Sequence, residues 1–154
     1  MGLLLVVNLH GKINSPRAVR ETLRELKLER RFTASVVPDD GPTLGALKSC
    51  KDYLAWSELD TPTLASLLEK RGMVSESKRL DLESLKTLGY GGFGDLAGKM
   101  EEKGMRLSAV PGIRPFFRLS PPRGGFKRSM HKQFTEGGVL GKNPKLPEII
   151  GRML

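Results

Sequence analysis

Few side chains in this 154-residue chain have the type and spacing that chemistry requires. His10 and His131 lie at opposite ends, and the single Cys50 falls in an apolar helical pattern that suits a small core residue. A metal centre needs clustered ligands, and a nucleophile needs a base and an orienting group beside it; neither pattern occurs. Asp39-Asp40 is a carboxylate pair, but Pro38 and Gly41 around it mark a turn and a helix cap. Gly89-Tyr90-Gly91-Gly92-Phe93-Gly94 matches G-x-G-x-x-G, yet it follows a helical pattern, whereas a dinucleotide fingerprint must follow a buried strand. Gly137 to Lys142 lacks one spacer residue and the hydroxyl of a P-loop, so a close backbone turn is expected there instead.

The stretch with chemical promise is Pro121-Pro122-Arg123-Gly124-Gly125-Phe126-Lys127-Arg128. Two prolines hold a chain extended, two glycines remove side chains that would keep a backbone from phosphates, and arginine offers a planar fork to phosphate oxygens. His131 and Lys132 follow, and a phosphate or base contact is the best use of this histidine.

Charge supports that reading. Residues 1–102 carry 15 basic and 15 acidic side chains, and residues 103–154 carry 11 and 2, so the whole formal charge of +9 lies in the last third. From Lys103 to Thr135 eight cations, Arg106, Arg114 and Arg118 among them, meet no acid. Such a run repels itself unless a polyanion is near. Phe116, Phe117, Phe126 and Phe134 are interleaved with it, an arrangement suited to stacking on bases or anchoring to a folded part.

The elements that must position these groups are legible by periodicity. Leu3 to Leu9 reads as a buried strand, Ala18 to Leu26 as an amphipathic helix begun by Ser15-Pro16, and Phe32 to Val37 as a second strand. A short helix around Leu44 and Leu47 leads to a third strand at Tyr53 to Trp56, giving β-α-β-α-β over residues 1–58. Thr61-Pro62, Asp81 and Leu96 to Lys103 mark three accessory helices over 59–102 that pad the core. Residues 103–154 read as a basic, loop-rich extension with one strand at Phe116 to Leu119. By this division residues 1–102 would fold without the extension. No apolar run approaches the ~18 residues of a membrane span, and one cysteine forms no internal disulfide, so a reduced, cytoplasmic, metal-free protein is expected.

Leu9-His10-Gly11, Thr22-Leu23-x-x-Leu26-x-Leu28, Lys51 to Trp56, Phe117 to Gly125 and Glu136 to Gly141 together resemble the large-subunit ribosomal protein thirty family, the L-thirty family in its archaeal and eukaryotic form. The likeness runs over nearly the whole chain, and its most specific parts are Pro-Pro-Arg-Gly-Gly and Glu-Gly-Gly. The family pattern has Arg where His10 stands and Gly where Ser57 stands. The resemblance implies an α+β fold: a small three-stranded antiparallel sheet, ferredoxin-like, with helices on one face. Strand–helix–strand links alone would default to parallel pairing.

It further implies large-subunit ribosomal RNA as partner, with 5S RNA a further candidate, neighbouring ribosomal proteins, no membrane, no cofactor, and a monomer within the ribosome. A structural, non-enzymatic component of the large subunit is therefore expected, binding RNA by shape and phosphate. Arg114, Arg118, Arg123, Gly124, Gly125, Lys127, Arg128, His131, Lys132 and Lys142 are the expected contacts. A free RNA-binding regulator and a small nucleotide-dependent enzyme using the 89–94 loop are the alternatives.

Overall fold

One strand buried on both faces sets the architecture. In the computed structural model, which describes residues 2–11, 13, 15–75, 77–110, 112–126 and 128–154, β1 (Leu3–Asn8) is buried along its whole length. Successive side chains point to opposite sides of a strand. Leu3, Leu5 and Val7 accordingly join one core and Leu4 and Val6 a second. β2 (Thr33–Pro38) and β3 (Leu54–Leu59) flank β1, both antiparallel, with Leu5 opposite Val36 on one side and Ser57 on the other. The antiparallel sheet implied by the resemblance is thus found. β2 and β3 do run parallel to each other, as a strand–helix–strand link favours, but β1 lies between them.

α1 (Arg17–Glu25) and α2 (Gly41–Ser49) cover the Leu4 face, where Val19, Leu23, Leu47 and the buried Cys50 pack with Trp56. The Leu5 face is padded by α3 (Thr61–Arg71), α4 (Leu82–Thr87) and α5 (Phe93–Lys103) through Leu64, Leu67, Leu85, Leu96 and Met100. Asp40, Asp60 and Asp81 cap α2, α3 and α4 by accepting the backbone N–H of Thr43, Thr63 and Ser84 at 2.8, 3.1 and 2.8 Å. Side-chain and backbone hydrogen bonds with Thr43 hold the Asp40 carboxyl below its ordinary range, and those with Ser84 do the same for Asp81. Two starts differ by one residue from the sequence reading. α3 is capped by Asp60 rather than Thr61, and α1 begins at Arg17 with Pro16, not Ser15, at its cap.

The last third is more regular than its sequence suggests. β4 (Phe117–Arg118) pairs with β2, β6 (Gly138–Lys142) runs parallel to β3, and β5 (Ser129–Gln133) runs parallel to β6. The order is β4-β2-β1-β3-β6-β5, six strands where three were expected with a fourth outside the core. α6 (Leu146–Met153) closes the chain and buries Leu146, Ile149, Ile150 and Met153 in the Leu5 core. Glu-Gly-Gly has a steric reason here: Gly137 is left-handed at φ 93°, and a Cβ on Gly138 would collide with the Lys132 backbone.

Candidate nucleic-acid interface

Several of the cations expected to contact RNA meet at one end of the sheet. The register places Asn8, Thr33, Leu54 and Arg118 in one row across β1, β2, β3 and β4, so the segments just beyond that row, His10, Arg31-Phe32 and Tyr53, form a common rim. Asn8 organises it. Its buried amide donates to the Leu28 carbonyl at 2.6 Å, while its Oδ1 accepts the N–H groups of His10 and Gly11 at 3.1 and 2.8 Å. His10 then packs edge-on against Tyr53, centroids 4.8 Å apart. Phe32 holds a left-handed φ of 60°, a conformation that costs an ordinary L-residue about 1–2 kcal/mol. In that position its ring carries the Arg31 guanidinium at 4.7 Å and stacks on Phe126 at 6.1 Å.

Pro121 to Gly125 lies in the connection from β4 to β5, and Phe126 just after it meets this rim at Phe32. The Gly125 N–H closes a turn on the Pro122 carbonyl at 3.1 Å, with Gly124 at φ 76° in the position that a type II turn reserves for glycine. Arg152, in the last turn of α6, clamps the loop: its Nη1 donates to the carbonyls of Arg123 and Gly125 at 3.1 and 2.6 Å, and its own carbonyl accepts the Arg123 N–H. The exposed Arg123 therefore stands on a fixed backbone.

On the β5 side, Arg128 lies over Phe134 at 4.3 Å and donates to that residue's carbonyl, so its charge is partly spent on local structure. His131 and His10, so distant in sequence, line one small pocket of about 190 Å³ with Arg31 and Leu9, and Lys132 is exposed beside it. Lys127 lies outside the described residues.

On the β4 side, Arg114 and Arg118 line a cavity of about 1130 Å³ together with four cations that the sequence reading left out, Arg30, Lys70, Arg71 and Arg79. Arg114 rests on Phe116 at 4.5 Å. The four were missed because each sits in the charge-neutral first two thirds, and only folding brings these scattered cations together, with Glu29 the one acidic side chain that lines the cavity beside them. Lys142 is the outlier. It shares a cleft of about 700 Å³ with Asp39, Glu58, Asp60 and Glu101.

The glycine loop at 89–94 offers no competing site. It follows α4, not a strand, and the Gly91 N–H donates to Asp95 Oδ2 at 2.9 Å, so the anion-accepting start of α5 already holds a carboxylate of its own chain. The Asp95 carboxyl is held below its ordinary range by that bond first and by Lys99 second.

A family model described as ribosomal protein L30p/L7e matches residues 4–54, which hold the β1-α1-β2-α2 unit and the first residue of β3. Among curated proteins, the large ribosomal subunit protein uL30 of Nitrosopumilus maritimus is 37% identical over 98% of this chain and 97% of its own. Its counterpart in Nanoarchaeum equitans is 36% identical with both chains wholly covered, and that of Staphylothermus marinus is 39% identical over 99% of this chain and 98% of its own. Identity at this level over essentially the full length makes this chain a member of the uL30 family of large ribosomal subunit proteins.

Proposed function

We propose that the protein is a structural component of the large ribosomal subunit that holds ribosomal RNA against the basic end of its sheet, and that the Pro121 to Gly125 loop is its fitted contact. Its place is the ribosome, in the cytoplasm, and its role is assembly and support rather than catalysis. The observation that carries the RNA reading is the loop itself: a backbone with two consecutive left-handed glycines, clamped from below by Arg152 and presenting Arg123 outward. A preorganised loop loses little entropy on meeting a phosphate, and glycine without a side chain lets that phosphate approach the backbone at Gly124, while the Arg123 and Gly125 N–H groups stay bonded to the Arg152 and Pro122 carbonyls.

Arg114 and Arg118 extend the contact to the β4 edge, Arg128, His131 and Lys132 extend it to the β5 edge, and Lys127 is a further contact proposed from the sequence alone. Lys142 is left out of the interface, because four carboxylates around it would repel RNA. Ribosomal RNA of the large subunit is the partner, 5S RNA is a further one to test, and neighbouring ribosomal proteins take the remaining surface of the monomer.

Filter binding to a large-subunit RNA fragment tests the loop. Arg123→Ala should weaken binding by about 1.5–3 kcal/mol, the range for a hydrogen bond to a charged group. Gly124→Val keeps the charge but strains a φ of 76°, and should weaken binding through shape. If Gly124→Val binds as the parent does, and Arg123→Ala loses no more than a lysine removed elsewhere, the loop is a diffuse cation and not a fitted contact.

A further inference from the structure

The cavity beyond the β4 edge gathers six cations from four separate parts of the chain: the approach to β2 (Arg30), the end of α3 (Lys70, Arg71), the Arg79 bridge, and the β4 segment (Arg114, Arg118). One acidic side chain, Glu29, lines it with them. None of the six makes an ion pair within 4 Å among the described residues; the pairs found there, Arg17–Glu21 and Lys99–Asp95, stand on helix surfaces elsewhere.

Two of the six are tied into the fold. Arg71 donates to the Arg118 carbonyl, Ser120 Oγ and the Met153 carbonyl at 3.4, 3.1 and 3.3 Å, and Arg79 donates to the Lys70 carbonyl at 2.6 Å at the end of α3. The side chains of Arg30, Lys70 and Arg118 have no hydrogen-bond or ion-pair partner among the described residues. A concavity that collects like charges and leaves three of them unpaired is disfavoured in the free protein. A bound polyanion would relieve it.

From this we infer that the cavity is a second RNA site, one that receives a run of consecutive phosphates of an RNA strand and continues the contact begun at the Pro121 to Gly125 loop. The inference rests on the reading of the protein as an RNA binder and extends it from the basic last third into the neutral part of the chain. Charge sets the ligand class. Six basic side chains against one acidic side chain exceed what a single phosphodiester neutralises, whereas several phosphates in a row match them. Five of the six are arginines, whose planar fork suits phosphate oxygens. Continuity sets the source: Arg71 joins the cavity to Ser120, directly before the prolines of the loop, so one strand can lie in both. A smaller recess of about 200 Å³ shares Glu29, Arg30 and Phe116 with the cavity and adds Arg24 and Lys27, which carries the path onward.

The test uses the full-length protein and a large-subunit RNA fragment, with affinity measured across salt concentrations. Arg30→Gln, Lys70→Gln and Arg118→Gln are combined, because these side chains hold nothing in the fold; Lys48→Gln, Lys86→Gln and Lys145→Gln form the charge-matched control. Each lost phosphate contact flattens the slope of log affinity against log salt by about 0.7 for a single strand. The cavity variant should therefore lose about two units of slope and bind at least tenfold more weakly at moderate salt, and the control should lose less than half a unit.

Inorganic tripolyphosphate is the second probe. If it binds the parent tightly and the cavity variant poorly while RNA affinity is unchanged, the cavity takes a small polyanion and the inference fails. It fails equally if cavity variant and control bind RNA alike, even where Arg123→Ala still weakens binding. Absence of RNA binding by the parent would instead overturn the RNA reading as a whole. Circular dichroism reports folding of the triple variant, and if it is unfolded the single change Lys70→Gln, expected to lose about 0.7 units of slope, decides the matter.

Discussion

Asn8 does at residue scale what a short motif in the sequence only hints at. The Leu9-His10-Gly11 signature follows a strand that is otherwise apolar, and the polar residue within it organises the rim by satisfying one carbonyl and two N–H groups at once. A leucine of the same branched shape would leave those groups without partners. At about 1–3 kcal/mol for each unsatisfied buried group, Asn8→Leu should destabilise the protein by roughly 2–4 kcal/mol, since the exposed part of the turn can recruit water. Urea unfolding should show a lower midpoint with an unchanged m-value. A loss under about 0.5 kcal/mol would mean that the turn does not depend on the amide. The sequence made some residues readable and others not. Cys50 as a core residue and Asp40 and Asp81 as caps follow from local pattern, and the structure agrees. The use of Asn8 depends on Leu28, twenty positions away, and no local pattern contains that partner.

At the scale of elements, strands with clear apolar patterns were legible and those formed by backbone pairing were not. β5 and β6, with sequences SMHKQ and GVLGK, carry neither alternation nor a long apolar run. Their place is set by the lack of a Cβ at Gly138 against Lys132 and by the pairing of Gly141 with Ala55. α6 had a readable signal, because Leu146, Ile149, Ile150 and Met153 fall at the three- and four-residue spacing of a buried face. Its shortness and its place behind a glycine-rich basic segment masked that stripe.

The consequence for stability is direct. Read by charge, residues 1–102 look self-sufficient, yet α6 covers the Leu5 core with four buried side chains and β4 adds Phe117. At about 1.5–3 kcal/mol for each buried large hydrophobe, the four of α6 alone contribute on the order of 6–12 kcal/mol. That is comparable with the whole net stability of a domain, about 5–15 kcal/mol. A chain ending at Glu102 should therefore lack a cooperative thermal transition and bind a hydrophobic dye. If it melts cooperatively with native-like circular dichroism, the first two thirds fold alone and the last third only docks.

For the whole molecule the decisive feature is polarity of charge. Carboxylates of Asp39, Glu58, Asp60 and Glu101 share a cleft, while cations of both the neutral and the basic parts gather at the rim beyond Asn8 and Thr33. In the free protein that crowding is a repulsion that dissolved salt screens, with a Debye length of about 10 Å at 0.1 M. The opposing loss is small, because the ion pairs found among the described residues, Arg17–Glu21 and Lys99–Asp95, are exposed helix pairs that contribute little. Screening should therefore stabilise the free protein by about 1 kcal/mol between about 20 and 300 mM sodium chloride, a rise in Tm of roughly 2–4 °C for a chain of this size. Over the same range RNA affinity should fall steeply, since released counterions drive that binding. The two responses have opposite signs because one set of charges produces both. A Tm that is flat or falls across this range, beside an RNA affinity that still drops, would show that the rim cations are too far apart to repel one another, and that they act on RNA singly and not as one surface.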